Sequence, residues 1–121
     1  MKTCALAFTL LLGALPAFSQ GKFQQTALGD FPLENGQVIK NCHLGYRTFG
    51  RMNSDTSNVV VLLPWYSGRS EHFAFALGPE SMVDSNRYFV IIIDPFGDGV
   101  SISPSNSVDQ PEAAFPNFGI W

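Results

Sequence analysis

The residues that could do chemistry gather in two short loops, each at the carboxyl end of an apolar run. The first is Pro64-Trp65-Tyr66-Ser67-Gly68-Arg69-Ser70, with Glu71 and His72 just beyond it. The second is Asp94-Pro95-Phe96-Gly97-Asp98-Gly99. Ser70 and His72 invite a nucleophile-and-base reading, since Gly68-Arg69-Ser70 is half of a Gly-x-Ser-x-Gly elbow. The spacing argues against it. Ser70 lies seven residues past Leu63, whereas an elbow turns sharply at the strand end, and the second glycine is replaced by His72. Residues two apart do not share a helix face either. Ser70 is better placed to cap a helix over Glu71–Leu77.

The remaining candidates divide in the same way. Asp94 and Asp98 with Gly97 and Gly99 suggest a calcium loop, but further oxygen ligands at the right spacing are missing, so turn chemistry is the expectation. His43 sits in a strand pattern with no partner in sequence and is expected to be half-buried or at the surface. His72 has the same standing, except that it borders the first loop. Trp65 and Tyr66 either line an acyl or substrate pocket or pack into the core, and both readings stand. The absence of paired cysteines or His-x-His and His-x-x-x-His spacings gives no reason to invoke a metal or another cofactor.

The elements that must position these loops are legible in the apolar pattern. Val59–Leu63 reads as a short strand buried on both faces, ended by Pro64, which has no amide hydrogen. Tyr88–Ile93 reads as a second buried strand, and a short helical turn is expected over Ser81–Val83. Strand, helix and strand make a βαβ unit with both loops at the carboxyl ends of parallel strands, where α/β folds collect ligands. Upstream, Glu34-Asn35-Gly36 is a hairpin turn joining strands near residues 23–30 and 38–49. On the second strand Leu44, Tyr46 and Thr48 should share one face, with His43, Arg47 and Phe49 on the other. From Val100 to Trp121 there is little periodic structure, which suggests a long loop on the site side.

The chain has 121 residues, 45% hydrophobic and 14% charged, an ordinary globular balance. Its first twenty residues differ. Lys2 precedes an apolar run from Ala5 to Phe18 broken by Pro16, and Ala17-Phe18-Ser19 supplies small residues at a cleavage position. These are the marks of a secretory signal peptide cut after Ser19 or Gln20, too short for a membrane span. Cys4 precedes the apolar core, which argues against a lipoprotein anchor. Removal of residues 1–20 leaves a domain of residues 21–121 whose formal charge moves from −3 to −4, because Lys2 leaves with the leader. A mildly acidic domain without a basic run offers nothing to nucleic acid. Cys42 is then the single cysteine, expected to act as a small buried hydrophobe.

Six motifs in order carry a resemblance. They are Phe31-Pro32-Leu33-Glu34-Asn35-Gly36, Leu44-Gly45-Tyr46-Arg47-Thr48-Phe49-Gly50, Pro64-Trp65-Tyr66-Ser67-Gly68 and Leu77-Gly78-Pro79, then Arg87-Tyr88-Phe89-Val90-Ile91 after Asp84, and Phe96-Gly97-Asp98-Gly99 followed by Ser101–Asn106. Together they resemble the amino-terminal part of the homoserine O-acetyltransferase-like branch of the α/β-hydrolase superfamily. The family typically has Asn where Asp98 stands and His-Ala or His-Gly where Pro64-Trp65 stands. The second departure, with the leader, is closer to the hydrolase members than to a cytosolic methionine-pathway enzyme.

The resemblance implies an α/β fold, here a β-hairpin plus a parallel βαβ unit in an incomplete sheet equivalent to strands one to four. It also implies a Ser, acid and His triad in that chain order, on an elbow beyond the residues present. None of the triad is carried by this chain, which is therefore expected to be inactive by itself. What transfers is the loop after the third strand, whose amide helps hold the oxyanion of a tetrahedral intermediate. Tyr66 is the first candidate donor, with Ser67 and Gly68 beside it. The substrate class implied is a small acyl compound, transferred or hydrolysed through an acyl-serine. The alternative is a small secreted non-catalytic domain that binds through the Trp65–Tyr66 surface. An unpaired edge on the Val59–Leu63 strand is expected to make the mature chain poorly soluble.

Overall fold

The computed structural model describes residues 21–119; the signal-peptide reading of residues 1–20 lies outside them. Strands β1 (Lys22–Pro32) and β2 (Val38–Phe49) form the expected antiparallel hairpin, paired from Lys22–Thr48 to Pro32–Val38. Its turn is built as the Asn-Gly signal requires. Gly36 takes φ +83°, its amide donates to the Leu33 carbonyl at 3.0 Å, and the Asn35 side chain accepts from the Gln37 amide.

The first half of β2, before the residues 43–49 for which alternation is expected, is not a regular strand. Ile39 and Cys42 are both fully buried although their separation puts them on opposite faces of a regular strand. The register slips around Gly29 (φ +69°), and Asn41 opposite takes φ +45°. A bulge there resets the parity of the strand. Asp30 holds the irregular segment by accepting from the Asn41 amide and the Lys40 ammonium.

Strands β3 (Val59–Leu62) and β4 (Phe89–Ile93) pair in parallel, and β4 also pairs antiparallel with the end of β2. The sheet order is β1-β2-β4-β3. Val90 and Ile92 of β4 are wholly buried. The expectation that β3 is buried on both faces fails. Val61 is 53% and Leu63 68% exposed, because β3 is the last strand of the described sheet and none of the described residues covers one of its faces.

The crossover between β3 and β4 is a 3₁₀ helix, Ser70–Ala76, rather than an α-helix over Glu71–Leu77. Its buried residues are Ser70, Phe73 and Ala76, spaced by three, which is the period at which 3₁₀ side chains eclipse. No helical turn forms over Ser81–Val83. Val83 instead bridges to Leu77, its amide reaching the Ala76 carbonyl at 3.1 Å and its carbonyl accepting from Gly78. That bridge stops the short helix.

Two apolar clusters result. Phe49, Phe73, Ala76, Leu77, Val90 and Ile92 pack between sheet and 3₁₀ helix. Ile39, Cys42, Ile102 and Phe115 pack where the chain after β4 returns across β2. Cys42 is thus the buried hydrophobe expected, and burial pushes its thiol pKa up.

From Val100 to Gly119 the chain is irregular, as expected, apart from a 3₁₀ turn at Glu112–Ala114. It is nonetheless ordered by specific bonds to the free edge of β2. The Ile102 amide donates to the His43 carbonyl, and the Gln110 side chain accepts from the Lys40 amide while donating to the Val38 carbonyl. A side-chain amide here does the work of a strand.

The open edge and face of β3 carry a prediction. Residues 21–121 should self-associate as concentration rises, and Val61→Lys should raise the soluble fraction while moving stability by no more than about 0.5 kcal/mol. Sedimentation velocity across a dilution series, with thermal melts of both proteins, checks this. A monomeric wild type at high concentration would contradict it.

Candidate functional site

β3 ends at Leu62, and the chain then passes through Leu63 and Pro64 into a tight turn from Trp65 to Gly68. The Gly68 amide donates to the Trp65 carbonyl at 2.8 Å, closing the turn. Ser67, not Gly68, supplies the left-handed residue, with φ +63° at a cost of about 1–2 kcal/mol. Gly68 is required for a different reason. A Cβ there would lie 3.0 Å from Pro64 Cβ and from Trp65 side-chain and carbonyl atoms.

The three candidate donors separate on this geometry. The Gly68 amide is consumed by the turn. The amides of Tyr66 and Ser67 reach no acceptor among the described residues. Two neighbouring N–H groups left open on a tight turn at the carboxyl end of a parallel strand can receive a ligand oxygen. Trp65 and Tyr66 also part company. Trp65 stacks on Phe73 (ring centroids 5.1 Å apart) and His72 (6.2 Å), and is 51% exposed. Tyr66 is 98% exposed and available to line whatever surrounds the loop.

Ser70 and His72 do not form a nucleophile and base. The Ser70 hydroxyl is buried and donates to Asp94 Oδ2 at 2.6 Å. His72 Nδ1 accepts from the Arg69 amide at 3.1 Å, and its Nε2 lies 3.8 Å from Glu71. The capping role expected of Ser70 also fails: Arg69 holds the N-cap position, and Ser70 is the first helical residue. His43 is half-buried, as expected, and contributes its carbonyl to the fold.

The second loop behaves as turn chemistry for Asp98. Its Oδ1 accepts from the Val100 and Ser101 amides at 2.7 and 3.0 Å. Its Oδ2 is buried with no hydrogen-bond partner among the described residues, and desolvation, helped by the nearby Asp94, raises its pKa above the ordinary value of 3.8. Sequence reasoning missed that the two loops are joined: an Arg69 guanidinium nitrogen donates to the Asp98 carbonyl at 3.2 Å. An arginine inside a Gly-x-Ser step is the signal that was available. Among the described residues no group of His, Cys, Asp and Glu is arranged to hold a metal. An apolar cleft of about 520 Å³ lies near the hairpin turn, lined by Phe31, Leu33, Pro95, Phe96 and Phe118, and includes none of the Pro64–Ser70 loop.

Asp98 yields a pH prediction with a definite sign. Its raised folded-state pKa means that the folded chain holds this proton more tightly than the unfolded chain, so ionisation costs stability at neutral pH. Asp98→Asn keeps the Oδ1 acceptor and removes the charge. It should melt above wild type at pH 7, with the gap closing as pH falls towards about 4. Thermal melts across that range test it, and a lower melting point for the variant at pH 7 would contradict it.

No protein-family profile matches the chain. It is similar to a probable esterase of Corynebacterium glutamicum, with 38% identity over 104 residues that cover 84% of this chain and 30% of the relative. An ethyl acetate hydrolase of Pseudomonas veronii is 32% identical over 90 residues, 74% of this chain and 26% of that protein. The crystal structure of an acetylester hydrolase from Corynebacterium glutamicum superposes with a TM-score of 0.69 at 37% identity, over 75% of this chain and 26% of that one. Homoserine O-acetyltransferases are also among the relatives. The chain thus spans less than a third of the length of these relatives, and it matches their amino-terminal part. The chain, with its mixed four-stranded sheet, thus matches the amino-terminal part of esterases and homoserine O-acetyltransferases that are members of the α/β-hydrolase superfamily.

Proposed function

We propose that this chain supplies the amino-terminal portion, including the oxyanion loop, of a secreted α/β-hydrolase that cleaves small acyl esters. The observation that carries the reading is the pair of open amides at Tyr66 and Ser67, at the carboxyl end of β3, in a chain similar to acetyl esterases. In the complete enzyme a serine from the elbow attacks the ester carbonyl, and the carbonyl oxygen becomes an oxyanion. The Tyr66 amide, with the amide following the nucleophile, receives that oxygen. Collapse expels the alcohol and leaves an acyl-serine, which water then cleaves.

The residues described here bind and orient; the triad is not among them. The chain by itself is accordingly inactive. The leader supports secretion, and the esterase relatives, together with Pro64-Trp65 in place of the family's His-Ala, support water as the acyl acceptor. Among the described residues no helix is long and apolar enough to cross a membrane.

The amide can be removed without removing the side chain's neighbours. In the complete enzyme Tyr66→Pro should lower kcat on p-nitrophenyl acetate by about 10²–10³, the effect of losing one oxyanion donor, with KM little changed. Tyr66→Ala, which keeps the N–H, should stay close to wild type. Equal kcat for the proline and alanine variants would remove Tyr66 from the reaction.

A further inference from the structure

Asp94 is the single charged side chain fully buried among the described residues, and nothing in the proposed chemistry uses it. Both its carboxylate oxygens are taken by one residue. Oδ1 accepts from the Ser70 amide and Oδ2 from the Ser70 hydroxyl, each at 2.6 Å. The backbone of Asp94 is fixed as well. Its amide donates to the Gly45 carbonyl at 2.9 Å, and its carbonyl accepts from the Ser101 hydroxyl at 2.6 Å. Ser101 Oγ in turn accepts from the Gly45 amide at 2.8 Å. A Cβ on Gly45 would meet Val100 at 2.9 Å, so the packing around this bridge has no slack.

The consequence lies in where these bonds fall along the chain. The loop from Leu63 to Arg69 leaves β3 after Leu62, which is in register with Ile92 of β4. It ends at Ser70, which Asp94 holds. One end of the loop is therefore tied to Ile92 of β4 and the other to Asp94, the residue that follows the strand, two positions and roughly 7 Å along an extended chain. A seven-residue loop with ends so close has many conformations unless its ends are fixed in orientation as well as position. A bidentate, charge-assisted grip on Ser70 supplies that orientation.

We propose that Asp94 is a positioning residue: by gripping the amide and hydroxyl of Ser70 it sets the direction in which the Trp65–Gly68 turn presents the Tyr66 amide. The inference rests on the oxyanion reading of Tyr66 for its functional meaning, but its physical content is separate. The grip is a property of the folded chain, present before any substrate arrives. Arg69 reinforces it by bonding to the Asp98 carbonyl on the same side.

Trp65 reports on the turn directly. In the 121-residue chain with Trp121→Phe it is the one tryptophan, and its acrylamide quenching reads how firmly the turn lies on Phe73 and His72. Ser70→Ala, which deletes one arm of the grip, should raise the quenching constant towards about twice the wild-type value, since Trp65 starts 51% exposed, while unfolding stays cooperative. Asp94→Asn should move it in the same direction by a smaller step, and it decides the matter if Ser70→Ala does not fold. Ser101→Ala is the control for general loosening: it removes a buried hydroxyl on the far side of Asp94 and should lower the melting point without changing quenching. Unchanged quenching in the Ser70 and Asp94 variants, or an equal rise in the Ser101 variant, overturns the positioning role. Altered quenching together with a fully active Tyr66→Pro enzyme would keep the grip and remove the oxyanion reading instead.

Discussion

Between Phe89 and Ile93 the backbone of β4 is bonded on both sides, to β2 in the antiparallel sense and to β3 in the parallel sense. The rest of the described structure depends on this double pairing. A strand so placed cannot reach water with its main chain, and Val90 and Ile92 are wholly buried. The 3₁₀ helix covers the face they present, through Phe73 and Ala76. The hairpin, the parallel unit and the covering helix therefore meet on five residues of one strand. Without β4 the hairpin and β3 would have no shared edge.

The same strand places the loops. β3 ends beside Ile92, so the Trp65–Gly68 turn emerges next to the segment that follows β4. That segment carries two carboxylates with different tasks. Asp94 has both oxygens satisfied by Ser70, whereas Asp98 leaves one buried oxygen unpaired and has its pKa raised by desolvation. An unpaired buried acceptor is costly, and the structure tolerates it next to a loop in which Ser67 already holds a left-handed conformation. Local cost concentrated beside open backbone donors is the pattern of a site rather than of a core.

What the sequence made legible was whatever depends on near neighbours. The Asn35-Gly36 turn and the apolar runs of β3 and β4 located every strand to within two residues, because turn chemistry and apolar length are local. The errors share a physical origin. Five apolar residues at 59–63 look the same whether a strand is central or at an edge, and exposure of Val61 and Leu63 is decided by what lies beside β3. Helical content over 71–77 does not distinguish an α-helix from the 3₁₀ helix that forms, which is followed at once by the Leu77–Val83 bridge. Asn41 hides a bulge that only the register against β1 exposes. At the site, the turn at Trp65–Gly68 was foreseeable, but the Ser70–Asp94 grip was not. Its partners are 24 residues apart, and each has a familiar local role, cap or turn, that masks the distant one.

The central claim is that this chain contributes a loop to an acyl-transfer enzyme whose triad comes from further residues. The most direct test is to sequence the transcript and the genomic DNA past the codon for Trp121 and translate all three frames. The account predicts an apolar strand followed by Gly-x-Ser-x-Gly, with an acidic residue and a histidine beyond it in that order. A stop codon after Trp121 with no such elbow in any frame would contradict it, and the Trp65–Tyr66 surface would then belong to a small binding domain.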